Sequence, residues 1–94
     1  MPTALEAARK IDVSAVQTHN TYRDILELVE AARRYRFINV HTLPCWTKEL
    51  AGLLKDLPDV FVGAPVGFPG GGHTTAVKLL EAERLLSDGV QEMD

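Results

Sequence analysis

Val60-Phe61-Val62-Gly63-Ala64-Pro65-Val66-Gly67-Phe68-Pro69-Gly70-Gly71-Gly72, followed by His73-Thr74-Thr75, is the stretch whose reading decides the fold. An apolar, strand-like segment runs into a loop nearly bare of side chains. The loop opens into an amphipathic run whose first residues carry hydroxyls. Strand, loop and helix follow one another without a gap. In α/β proteins ligands sit beyond the carboxyl ends of parallel strands, and glycine lets backbone N–H groups come close to them. The flanking sequence reads as more units of the same kind.

Upstream, helix-prone residues 3–9 lead into Ile11-Asp12-Val13-Ser14-Ala15-Val16, which alternates as a short first strand does. Asn20 or Thr21 can cap the next element, and Asp24, three residues after Thr21, puts a carboxylate at the positive end of a helix. Tyr22, Ile25, Leu28, Val29 and Ala32 recur at helical spacing, with Arg23, Glu27, Glu30 and Arg34 on the other side. Phe37-Ile38-Asn39-Val40-His41 is short and β-rich and predicts a second strand. Pro44 closes the connection after it. Trp46, Leu50, Leu53, Leu54 and Leu57 form one face of a second helix, which Pro58 ends. The third strand spans Val60 to Val66, and Pro65 should weaken its pairing near the end because proline donates nothing to the ladder.

Downstream, Thr74 or Thr75 starts a third helix with Ala76, Leu79, Ala82 and Leu86 inward, Val77 and Leu80 widening the stripe, and Lys78, Glu81 and Asp88 facing water. Gly89 is placed as the residue just past its end, and Val90 to Asp94 reads as the beginning of a fourth strand. The order β-α-β-α-β-α-β with short connections means an α/β fold with a parallel sheet and right-handed crossovers.

Composition narrows the function classes. Ninety-four residues make one domain at most, whereas a whole (β/α)8 barrel needs roughly 250. Thirteen acidic against ten basic residues give a net charge of −3, and no basic block is present, which argues against nucleic acid or an anionic membrane as the main partner. No apolar run is long enough to span a membrane. The start at Met1 lacks a secretory pattern and the sequence holds one cysteine, Cys45, so a cytoplasmic protein is expected. One cysteine and three scattered histidines suggest no metal site.

Four groups of residues carry a resemblance. They are Phe37-Ile38-Asn39-Val40 with Pro44-Cys45; Val66-Gly67-Phe68-Pro69 with Gly71; Thr74-Thr75-Ala76-Val77-Lys78 with Glu81-Ala82; and Gly89-Val90-Gln91-Glu92-Met93-Asp94. In this order and at similar spacing they resemble deoxyribose-phosphate aldolase, over nearly the whole chain but only the amino-terminal part of the family's barrel. The resemblance implies that residues 1–94 form a single partial domain, the amino-terminal half of a TIM (β/α)8 barrel. It also implies a class I aldolase that needs no cofactor. A lysine forms a Schiff base with acetaldehyde, and the enamine attacks D-glyceraldehyde 3-phosphate to give 2-deoxy-D-ribose 5-phosphate. The Schiff-base lysine and its partner lysine belong to later strands and lie outside this chain. Lys10 precedes the first strand, and Lys48, Lys55 and Lys78 sit on helices.

By the same resemblance Asp94, which ends the Glu-x-Asp pattern, is the expected proton-transfer carboxylate. Asp12 is expected to face the barrel interior and join the polar network near the lysines, with a backbone-bonded strand-edge carboxylate as the plainer reading. Ser14 and His41 are the candidate substrate contacts; the plainer reading of His41 is a buried histidine with a backbone partner. The family commonly has Asp-His-Thr where this chain has Asp12-Val13-Ser14, and a small polar residue or cysteine in place of His41. Gly70-Gly71-Gly72 could hold phosphate on bare N–H groups, but its spacing is not that of a P-loop and a turn shaping the pocket rim is preferred. The expected ligand is a small phosphorylated sugar or aldehyde. A sheet cut from a closed barrel leaves edges and an apolar face uncovered, so self-association or a second chain completing the barrel is expected. The alternative is a catalytically inactive α/β fragment or small associating domain.

Overall fold

The computed structural model describes residues 3–93, the side chain of Leu5 excepted. A short helix α1 (Ala4–Ala8) precedes β1 (Asp12–Ala15), α2 (Tyr22–Tyr35) and β2 (Asn39–Thr42). A single 3₁₀ turn (Pro44–Trp46) runs directly into α3 (Thr47–Leu53), which is followed by β3 (Phe61–Ala64), α4 (Thr75–Asp88) and β4 (Glu92–Met93). The strands form one parallel sheet in the order β1-β2-β3-β4. Parallel βα repeats of this kind build the amino-terminal half of a TIM barrel.

Local chemistry sets the ends of the long helices. Thr21 accepts from the Asp24 N–H while the Asp24 carboxylate accepts from the Thr21 N–H at 2.8 Å, a complete capping box. Arg36 closes α2 in the left-handed region at φ 53°, a conformation in which an L side chain is crowded. Thr74 caps α4 through the Val77 N–H, and Gly89 ends it at φ 104°. At the amino ends of the strands the Arg9 guanidinium donates to the carbonyls of Arg36 at 3.2 Å and Asp59 at 2.7 Å, tying three connections together.

One face of the sheet is covered by helices. Val40 and Val62, neighbours in register, pack with Val13 against Ile25, Val29 and Ala32 of α2 and against Leu50, Leu54 and Leu57 from α3 and the segment after it. A smaller cluster of Ala64, Leu85 and Val90 lies under α4. Alternation along the strands turns Asp12, Ser14, Asn39, His41, Phe61 and Gly63 to the opposite face, away from the helix-packed core.

Three expectations change. The third strand ends at Ala64, one residue before Pro65, so proline lies beyond the ladder instead of weakening it. On α4 only Leu85 is buried; Leu79 and Leu86, expected inward, are each 60% exposed. The helix carries apolar residues on more than one side, and the sheet takes the side of Leu85, leaving the flank of Leu79 and Leu86 bare. Lys78, Glu81 and Asp88 were expected to face water. Lys78 and Glu81 turn instead toward the glycine loop, and Asp88 accepts from Arg84.

Candidate active site at the strand ends

Two rows of side chains cross the open face. Asp12, Asn39 and Phe61 are in register in the first, and Ser14, His41, Gly63 and Glu92 in the second. At the carboxyl ends of the strands a pocket of about 260 Å³ is lined by Asp12, Ser14, Val16, His41, Pro65 and Phe68. Three of the four residues singled out from sequence therefore share one cavity. Asp12 and Ser14 are exposed, whereas His41, on the central strand β2, is buried. Asp94, the fourth, lies outside the described residues.

The loop between β3 and α4 forms the rim. It leaves the sheet at Pro65, turns at Gly67 (φ 67°) and Gly71 (φ 70°), and presents Phe68 to the pocket, with Phe68–Pro69 a cis peptide. The Gly71 N–H donates to the Gly67 carbonyl at 2.7 Å. The Gly67 N–H donates to Glu81 Oε1 at 2.7 Å, and Lys78 Nζ donates to the Gly71 carbonyl at 3.3 Å. One bare N–H of the glycine loop thus already faces a carboxylate, which repels an anion. The loop is a strapped rim.

A larger cleft of about 650 Å³ lies on the outer surface between α3 and α4, bordered by Lys48, Glu49, Leu80 and Arg84. None of Asp12, Ser14 and His41 lines it, whereas the smaller pocket gathers all three beyond the strand ends, where parallel α/β proteins place their ligands, and is the candidate site.

Four features of the site went unread in the sequence. Pro65 and Phe68 line the pocket, Gly63 underlies His41, and Asn39, 1% exposed, has neither side-chain polar atom hydrogen-bonded among the described residues. Alternation back from His41 could have placed Asn39 on the open face. A glycine inside a strand signals close approach by another group, which fits Gly63.

Parallel βα repeats with a pocket beyond the strand ends define a segment of a (β/α)8 barrel, of the kind on which aldolases are built. More particularly, the chain is homologous to the deoxyribose-phosphate aldolases and matches part of the full-length enzyme. It is 49% identical over 89 residues to deoxyribose-phosphate aldolase of Klebsiella pneumoniae, covering 93% of this chain and 36% of that relative. Against the enzyme of Sinorhizobium medicae it is 45% identical over 89 residues, covering 95% of this chain and 36% of the relative. Among solved structures, deoxyribose phosphate aldolase from Aeropyrum pernix superposes with a TM-score of 0.90 at 32% identity, over 98% of this chain and 39% of that one. The aldolase QR15 does so with a TM-score of 0.84 at 30% identity, over 93% and 38%. No family model matches the sequence. The chain thus spans little more than a third of the length of these relatives.

Proposed function

We propose that this chain is the part of a class I deoxyribose-phosphate aldolase that supplies the first four strands of the barrel and the acidic side of its active site. The reaction is the reversible aldol addition of acetaldehyde to D-glyceraldehyde 3-phosphate through a lysine Schiff base. The observation that carries it is the gathering of Asp12, Ser14 and His41 in one pocket at the strand ends of a chain homologous to these aldolases. Asp12 and Asp94 are the proton-handling carboxylates in this reading, while Ser14 and His41 hydrogen-bond the hydroxyl-bearing aldehyde. The nucleophile comes from outside the chain. Lys10 is exposed at the amino end of β1, Lys48 and Lys78 are on the helices, and Lys55 follows α3. The reading carries with it a cytoplasmic location.

A fusion of residues 1–94 to the carboxy-terminal remainder of the Klebsiella pneumoniae relative tests it. Cleavage of 2-deoxyribose 5-phosphate by the fusion, abolished by Asp94→Asn and reduced at least tenfold by Asp12→Asn, is the expected result. A soluble, folded fusion without cleavage overturns it. Borohydride with acetaldehyde should label no lysine of residues 1–94 when these are alone.

One observation favours a second reading, an associating domain without activity of its own. Leu79, Leu80 and Leu86 of α4 are 60%, 67% and 60% exposed, a concentration of apolar surface that draws other surfaces to it.

A further inference from the structure

Gly63 lies inside a strand, where glycine weakens pairing and fills no space. Its backbone does not ask for glycine, since positive φ among the described residues is confined to Arg36, Gly67, Gly71 and Gly89. The surrounding space does ask for it. A Cβ at position 63 would lie 2.5 Å from Nε2 of His41 and 2.7 Å from its Cδ2 and Cε1, far inside van der Waals contact. The imidazole therefore rests on the bare Cα of Gly63. The two residues are in register across β2 and β3, and on its other side His41 is in register with Ser14 of β1. The same histidine lines the pocket with Asp12, Ser14 and Phe68.

We propose that Gly63 is a positioning residue that sets the specificity of the pocket. By leaving the β3 side of the row empty, it lets the His41 ring lean away from Ser14 and keeps the space beside Ser14 open for a small hydroxylated aldehyde. This rests on the aldolase reading above. The backbone of β3 is held by ladders on both sides, whereas the ring is the end of a side chain with two rotatable bonds. A methyl group at position 63 moves the ring rather than the strand. Away from β3, the ring's free space is the pocket itself, so Gly63→Ala closes the site with the protein's own histidine. His41 and Gly63 form a matched pair, and truncating His41 releases position 63 from its constraint.

The test uses the isotope-labelled full chain in four forms: wild type, Gly63→Ala, His41→Ala and the double variant. Imidazole carbon–proton spectra are recorded at one pH, with His19 and His73 as internal controls. The expected result is that Gly63→Ala shifts the His41 resonances and leaves those of His19 and His73 in place. Titration with D-glyceraldehyde 3-phosphate should perturb the Ser14 and Val16 amides in wild type. Apparent affinity should fall at least tenfold in Gly63→Ala relative to wild type, while the double variant should bind no more weakly than His41→Ala alone, because without the ring the added methyl has nothing to displace. Unmoved His41 resonances in Gly63→Ala overturn the proposal, and so does a moved ring with unchanged affinity where the wild type binds. Should Gly63→Ala fail to fold, the double variant decides: its folding supports the pair, and its failure means position 63 needs glycine for another reason. A ring that moves in a chain whose wild type ignores the ligand upholds the positioning by Gly63 and sinks the aldolase reading instead.

Discussion

At the residue scale, Glu81 shows how a helix fixes a loop that has almost no side chains to fix itself. Its carboxylate takes the Gly67 N–H at 2.7 Å, and one helical turn earlier Lys78 holds the Gly71 carbonyl. Glu81→Ala leaves a part-buried N–H without its charged partner, a loss of about 1.5–3 kcal/mol. Faster hydrogen exchange at the Gly67 amide is the expected signature, with Glu81→Gln restoring much of the protection; unchanged exchange in Glu81→Ala would show the strap to be idle. The strap was hidden in the sequence because helical periodicity assigned Lys78 and Glu81 to the solvent side, and periodicity says nothing about a loop folding back over them. The pocket was more legible. Alternation alone puts Asp12 and Ser14 on one face of β1, and the resemblance supplied His41, which the β1–β2 register sets beside Ser14. Gly63 carries no side chain to alternate; a glycine inside a strand signals a close approach, and the position of the His41 ring shows which group approaches.

At the scale of the element, α2 and α4 contrast. The start of α2 is written in Thr21 and Asp24 and is found as written, because a capping box needs only four consecutive residues. Thr21→Ala should cost about 1 kcal/mol in thermal or denaturant unfolding. The Asp24 carboxyl is held below its ordinary value of about 3.8 by the Thr21 N–H first and the Asn20 amide second. Asp56 is held low by the Arg33 guanidinium, which meets both its oxygens at 2.7 and 2.9 Å. For a carboxylate lowered in the folded state, the stabilisation is present at neutral pH and lost as pH falls through the folded-state value. The unfolding midpoint should therefore drop as the solution is acidified below pH 4, and drop less in Asp24→Asn. Equal acid sensitivity of the two proteins would exclude the cap as a contributor. In α4 the inward face was misread, because Leu79, Leu80, Leu85 and Leu86 offer several apolar faces and only packing chooses among them. Leu79→Lys with Leu86→Lys should change monomer stability by less than about 0.5 kcal/mol per site. It should also lower the average mass seen by light scattering, if that flank is where copies of the chain meet.

At the scale of the whole molecule, a sheet with helices on one face is an open structure, and its remaining face is polar at the centre. Asn39 and His41 are buried there while Asp12 and Ser14 are exposed. A barrel-completing chain would cover that face and pair the free edges of β1 and β4. Intact mass before and after denaturation tests this directly: a second polypeptide of about 150 residues, the balance of a roughly 250-residue barrel, is the expected companion. A homogeneous monomer would point to a stand-alone domain. Arg9 contributes at this scale too, since it bonds the carbonyls that precede β2 and β3. Arg9→Ala should destabilise the sheet by about 1.5–3 kcal/mol, measured by denaturant midpoint.

The order of the strands has one more consequence. Each strand pairs only with those adjacent to it in the chain, β1 with β2, β2 with β3 and β3 with β4. No early segment waits for a distant one to arrive, so loop-closure entropy stays small at every step. A chain built this way can assemble in the direction of its synthesis, each newly emerged βα unit docking on the template left by the one before it.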